Sequence, residues 1–336
     1  MEARGNWRQI SEDIAVEEAD FFWRPYNFGP YGYNRISKRT TLKPTFIFNH
    51  FENLAGVCTK TGLVRSLFRY YETNASAKTE GYGAFDSTPT SFVISDKKDD
   101  KEMVAFMQRY RELSRGGSQN ERMPHKHCAR NIWLVKPADE NQGRGIEVYE
   151  AIKDIQDHIN YKRGCFWVIQ KYIERPLLFK GRKFDIRVWA LVTETFQIHF
   201  YREGYLRTSS AEYNSQEKNN LVHLTNQCLQ VHGSEYSKHE EGNVLSFTQF
   251  QEYMDTNQIK AADGSKYRLD VQEMVVPRMK DLIIDAFLSV RNSLNPKKRA
   301  NVFELFGFDF VIDEDYRTWL IEVNTCPDLN TPNKYM

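Results

Sequence analysis

Near its end the chain carries two apolar segments, FELFGFDFVID (303–313) and RTWLIEVN (317–324), that hold Asp309, Glu322 and Asn324 where buried strands ordinarily hold nothing polar. Both read as strands, and a turn near Asp315 joins them as a hairpin. Glu322 and Asn324 are two apart and share a face, while Asp309 falls opposite Glu322, because each lies six or seven residues from the turn centre. Three hard oxygen donors then meet on one buried surface. That set suits magnesium completed by substrate phosphates. A polar cluster satisfied by its own hydrogen bonds is the alternative.

Upstream of the hairpin, helices and strands mix in an α+β order. IWLVKP reads as a buried strand, EAIKDIQDHINY as a helix, WVIQKYI as a strand, and FDIRVWALVT and FQIHFYREGYLR as two long strands. Residues 56–72 and 99–115 are predicted helices. In the second, Met103, Phe106, Met107 and Tyr110 form one apolar face suited to a small sheet. A further helix is expected over 246–255, and a long one over VQEMVVPRMKDLIIDAFLSVRNSL, with Pro277 near its start or at a kink. The Gly- and Pro-containing stretch 114–127 marks a boundary, so we expect an N-terminal lobe with an irregular arm over 1–128 and the remaining lobes over 129–336.

Several cations stand where an anionic ligand would need them. Lys136 ends its strand, and seven residues later comes Gly143-Arg-Gly145-Ile146. Glycines let main-chain N–H groups approach phosphate oxygens, and a lysine beside them offsets the charge. The pair suggests a nucleoside triphosphate, although Val148 replaces the third glycine of a dinucleotide fingerprint and no GK[ST] is present. A plain turn with an exposed lysine is the alternative. Gln170-Lys171-Tyr172-Ile173 ends a strand whose main chain could hydrogen-bond an adenine while Lys171 reaches a ring nitrogen. Lys183, Asp185 and Arg187 alternate along a strand and therefore share one face. Either a mutual ion-pair network or a phosphate and a substrate carboxylate would satisfy them.

Composition narrows the class. With 46 Lys+Arg against 45 Asp+Glu the net charge is +1, which gives no support to wholesale binding of nucleic acid or membrane. No apolar run approaches the roughly 18 residues of a membrane-spanning helix, and MEARGNWRQI lacks the apolar core of a secretory signal, so an intracellular protein is expected. The five cysteines are dispersed and form no CxxC, which fits reduced thiols. His125, His127 and Cys128 lack a fourth zinc ligand nearby and read as a basic loop. Lys297-Lys298-Arg299 reads as solvated surface.

Taken together, NIWLVKPADENQGRGI, VIQKYIERPLL, RKFDIRVW, YREGYLR, VHLTNQCLQ, FELFGFDFVID and WLIEVN resemble the tubulin tyrosine ligase-like family of ATP-grasp ligases in order and spacing. The resemblance covers about 130–326 and reaches more loosely through TKTGLVRSL. It implies an ATP-grasp fold, with ATP and magnesium held between two α+β lobes beside a small N-terminal lobe. It also implies that an amino acid is ligated to a carboxylate of tubulin tails through an acyl-phosphate. Carried onto this chain, Lys136 with Gln142, Gly143, Arg144, Gly145 and Ile146 would hold phosphates. Gln170, Lys171, Tyr172 and Ile173 would meet the adenine, and Lys183 with Asp185 the phosphate and ribose. Arg187 and Arg207 are implied as catalytic clamps, and His223, Thr225 and Asn226 as the substrate side. Asp309, Glu322 and Asn324 would bind magnesium. The expected activity is polyglutamylation of microtubules in the cytoplasm, cytoskeleton or cilium, with glycylation or tyrosination as alternatives. An impaired module that binds nucleotide and microtubules is the alternative of another class.

Overall fold

The computed structural model describes residues 8–10, 18–24, 43–74, 88–95, 100–115, 128–161, 164–257, 259–260 and 266–329. These form a mixed α/β structure with several sheets. Strands β1 (Phe21–Phe22) and β2 (Ile47–Phe48) make a short parallel pair. A four-stranded antiparallel sheet contains β3 (Ser91–Ile94), β4 (Trp133–Pro137), β5 (Glu147–Tyr149) and β6 (Trp167–Lys171), in the order β3-β6-β4-β5. The larger sheet contains β7 (Leu178–Phe179), β8 (Arg182–Thr193), β9 (Ile198–Thr208) and β10 (Val244–Ser246). After a two-stranded hairpin, β11 (Ile259–Lys260) and β12 (Lys266–Tyr267), it is completed by β13 (Phe303–Ile312) and β14 (Thr318–Thr325). Its order is β10-β9-β8-β13-β14, with β7 pairing β8. No helix among the described residues is long and apolar enough to cross a membrane.

Strand alternation sets the two faces of each sheet. In the smaller sheet, Trp133 and Val135 of β4 and Trp167 and Ile169 of β6 turn toward helices Lys101–Ser114 and Ile152–Tyr161. Phe106, fully buried, packs edge-on against Trp133, so the apolar face predicted for the first helix does meet a small sheet. The intervening residues, Lys136 among them, point to the opposite side. β3 and helix Lys101–Ser114 precede the boundary expected at residue 128, yet they share a sheet and a core with β4 and β6. Residues 116–127, where that boundary was read, lie outside the described residues, as do His125 and His127.

In the larger sheet Phe184, Ile186 and Val188 of β8 and Phe306, Phe308 and Phe310 of β13 form the core face. Helix Val276–Leu294 covers it, with Phe287 packed edge-on against Phe306 and Phe308. Pro277 sits at the first positions of this helix, where its missing N–H costs nothing, and a π-turn over Val271–Val275 precedes it. Near the start of β13 Glu304 is buried. Its carboxylate accepts from His50 Nδ1 at 3.0 Å, from Phe51 N–H at 3.2 Å and from the Thr325 hydroxyl. His50 Nε2 lies 2.7 Å from the Arg24 carbonyl. This network ties the segment before residue 52 to the end of β14.

Candidate active site

The opposite face of the larger sheet is charged. Asp309 pairs with Glu322 across the β13–β14 hairpin, as the turn position requires, and with Arg187 across β13–β8. Asp185 pairs with Arg207 across β8–β9. A register shift after Asp309, which leaves Ile321 without a ladder partner, keeps Glu322 and Asn324 on this face. Gly307 admits Pro327 and Arg187 at close quarters: a Cβ there would lie 2.8 Å from Pro327 and 3.4 Å from Arg187.

The result is a buried lattice of alternating charge. Arg207 grips Asp185 with two hydrogen bonds and reaches Asp309 at 3.0 Å; Arg187 grips Asp309 with two more. Burial alone would raise the Asp309 pKa, but Arg187 and Arg207 hold it well below the usual carboxylate range. Glu322 moves the other way, pushed up by burial and then by the charge of Asp309 beside it. The Asn324 amide bridges the two, donating to Glu322 at 3.0 Å and to Asp309 at 3.3 Å. Three oxygen-bearing side chains so placed, with one carboxyl raised by its neighbour, fit a hard divalent cation whose charge would relieve that repulsion.

Lysines gather beside the lattice without a carboxylate in ion-pair contact among the described residues. Lys136 Nζ donates to Gln170 Oε1 at 2.6 Å, and Gln170 donates onward to Ser91 at 3.0 Å. Burial lowers Lys136 to about 8, only partly offset by attraction to Glu322. Lys183 donates to the His223 carbonyl at 2.8 Å and to the Tyr172 hydroxyl at 3.2 Å, and burial lowers it to about 7. One cavity is lined by Lys60, Val64, Lys136, Gln170, Ile321 and Glu322, so both sheets and helix Lys60–Thr73 contribute to it.

The remaining residues singled out from the sequence fall around this cavity or away from it. Gln142, Gly143 and Gly145 adopt positive φ of 60°, 76° and 66°, the backbone a tight cradle requires. A Cβ on Gly143 would come within 2.7 Å of Leu229 and 3.1 Å of Asn226, so the glycine loop and the HLTN segment are packed together. Arg144 is exposed and donates to Gln142 at 3.0 Å, while Ile146 is buried in a small apolar cluster with Tyr172 and Leu224. His223 turns inward. Its Nε2 lies 2.6 Å from the Glu217 carbonyl and its Nδ1 2.9 Å from the Tyr172 hydroxyl, so Nε2 bears the proton and Tyr172 donates to Nδ1. Thr225 is buried, and Asn226 precedes the short helix Gln227–Gln230. Ile173 belongs to the smaller sheet's core.

Lys171 is apart from the lysine group. It follows Gln170 on β6 and therefore takes the other face, where its ammonium is held by Glu174 at 2.6 Å and the Ile132 carbonyl at 2.8 Å. Glu174 also accepts from the Arg130 and Ile132 N–H groups, both at 2.9 Å. Lys60 and Glu174 were not singled out from the sequence. A signal for Lys60 existed: it opens a helix capped by Thr59, and a cation at that positive end is disfavoured unless something else calls for it. Its Nζ donates to the Glu140 carbonyl.

A cleft with a carboxylate pair, a guanidinium pair and buried lysines offers a site whose chemistry suits anionic ligands. The chain belongs to the tubulin-tyrosine ligase family, whose model matches residues 39–336. It is 35% identical over 215 residues to tubulin glycylase 3B of Tetrahymena thermophila, covering 63% of this chain and 17% of that protein. It is 39% identical over 206 residues to tubulin glycylase 3A of Drosophila melanogaster, with 59% and 20% covered. It is 37% identical over 216 residues to protein monoglycylase TTLL8 of Homo sapiens, with 60% and 24% covered. The matched part thus spans less than a quarter of each of these relatives.

Proposed function

We propose that the chain is an ATP- and magnesium-dependent ligase that joins an amino acid, glycine in the first instance, to a carboxylate of a tubulin tail. The observation that carries this reading is the cavity lined by Lys60, Lys136, Gln170 and Glu322, which adjoins the Arg187–Asp309–Arg207 lattice. From the sequence, glutamate is the expected donor. The similar proteins are named as glycylases, which supports the glycylation alternative instead.

In this reading the nucleotide lies between the two sheets, in an ATP-grasp arrangement. Lys136, Lys183 and the 142–146 loop face its phosphates, the main chain from Gln170 through Ile173 its base, with the Lys171 side chain turned away to Glu174, and Asp185 its ribose region. Asp309, Glu322 and Asn324 would hold magnesium, which when bound supplies charge neutralisation between the phosphates. The acceptor carboxylate, oriented by Arg187 and Arg207, attacks the γ-phosphorus and ADP departs. The amine of the incoming amino acid then displaces phosphate from the acyl-phosphate and loses a proton. Two anions must meet in this sequence, and fixed guanidinium groups lower the barrier by offsetting charge in place. Thr225 and Asn226 would lie on the substrate side, with His223 holding Tyr172 and Lys183 in position.

Mass spectrometry of tubulin incubated with the protein, ATP, magnesium and either amino acid tests this directly. Addition of glycine residues supports the reading, and addition of glutamate residues alone would return it to polyglutamylation. ATP binding without ADP release under any condition would leave only a nucleotide-binding module. Glu322→Gln should abolish ligation yet fold normally, since it removes charge with almost no change in volume; wild-type rates in that variant would refute the metal assignment.

A further inference from the structure

Helix Lys60–Thr73 runs from the cavity onto open surface, and its outer side is unbalanced in charge. Lys60, Leu63 and Val64 line the cavity. Just beyond, Arg65, Phe68 and Arg69 are exposed, and their spacing of three and four puts them on one helix face. The Arg65 guanidinium lies 6.0 Å over the ring of Phe166, itself 47% exposed, and Phe166 stands two residues before Val168, another cavity residue. Neither Arg65 nor Arg69 has a carboxylate partner among the described residues. Several other arginines at the surface do: Arg130 pairs with Glu150, Arg175 with Glu314 and Arg268 with Asp255. Glu72, near the far end, is the one acidic residue of this helix.

We infer that the Arg65–Phe68–Arg69 face, with Phe166, is the docking strip for an acidic, extended stretch of the acceptor polypeptide, an inference that rests on the ligase reading above. Guanidinium groups without a carboxylate partner offer two-pronged donors to carboxylates, and the exposed Phe166 beside Arg65 adds apolar contact surface. The helix rises about 1.5 Å per residue, so Lys60 to Arg69 spans about 14 Å, which accommodates about four residues of extended chain. An acidic segment held there delivers its next carboxylate to the cavity mouth at Lys60 and Val64. The strip therefore acts on binding of the acceptor and leaves nucleotide binding alone.

Fluorescence anisotropy with a labelled glutamate-rich peptide, read against a glutamine-rich peptide of equal length, tests the strip without requiring turnover. The full chain should bind the acidic peptide and lose affinity as salt rises. Arg65→Glu with Arg69→Glu should weaken binding by at least about tenfold, Phe166→Ala by less, and Arg65→Lys with Arg69→Lys should restore most of it. A fluorescent ATP analogue should bind the wild type and all variants alike, which also establishes that they are folded. Equal affinity of the charge-reversed variant, equal binding of the glutamine-rich peptide, or no binding by the wild type would each overturn the strip. Failure of ligation with peptide binding intact would instead overturn the ligase reading and leave the strip standing.

Discussion

The molecule buries positive charge in two different ways, side by side. Arg187 and Arg207 lie in the larger sheet with Asp309 between them and Asp185 beyond, so every guanidinium has an anion in ladder register. Lys136 and Lys183 are equally buried yet hydrogen-bond only to an amide oxygen, a carbonyl and a hydroxyl. The arginines keep their charge in the folded protein, whereas burial drives the lysines toward neutrality, to about 8 and about 7. One region is complete in itself. The other has no carboxylate in hydrogen-bond contact among the described residues, as a site proposed to receive an outside anion requires.

The largest effect expected from breaking this contrast is that of Asp309→Asn. It leaves two buried guanidinium groups facing each other, and urea unfolding should show a loss of about 3–5 kcal/mol; a loss under about 1 kcal/mol would mean that the lattice is not self-contained. Lys183→Met should do the reverse, leaving the nucleotide-free protein as stable as before while reducing nucleotide affinity at least about tenfold. The lysines also predict a proton signature. Their folded pKa values lie below the ordinary 10.5, so between about pH 7 and 10.5 the unfolded chain binds more protons, and their contribution to stability rises with pH across that window. An anionic ligand reverses the shift, so nucleotide binding at pH 8 should take up protons, measurable by calorimetry in buffers of different ionisation enthalpy. Lys183→Met should reduce that uptake, and an unchanged value would assign it elsewhere. The smallest effect expected is that of Tyr172→Phe, which removes the hydroxyl shared by Lys183 and His223 and should cost about 1 kcal/mol.

Much of this contrast was legible in residue order, and the part that was not has a physical reason. A period of two together with a known turn fixes strand register, which is why Asp309 could be set opposite Glu322 before any coordinates. The same alternation placed Lys183, Asp185 and Arg187 on one face. It could not show that Asp185 and Arg187 take cation and anion partners from neighbouring strands while Lys183 takes none, because that depends on strand order, Asp309 lying 122 positions along the chain from Arg187. Lys171 was the avoidable misplacement in space: adjacent to Gln170 on a strand, it had to face the other side, where Glu174 holds it. Lys60 entered the cavity from a helix that no strand pattern connects to the hairpin.

The buried link from Arg24 through His50 and Glu304 to Thr325 stops one residue short of Asn324. A chain trimmed to begin after residue 51 would keep every proposed ligand and still expose the Glu304 carboxylate to an unanswered environment at the base of the ligand-bearing strand. Shortened versions chosen for crystallisation or assay should therefore start ahead of Phe21, because the stretch from Arg24 to Phe51 serves as the footing for β14.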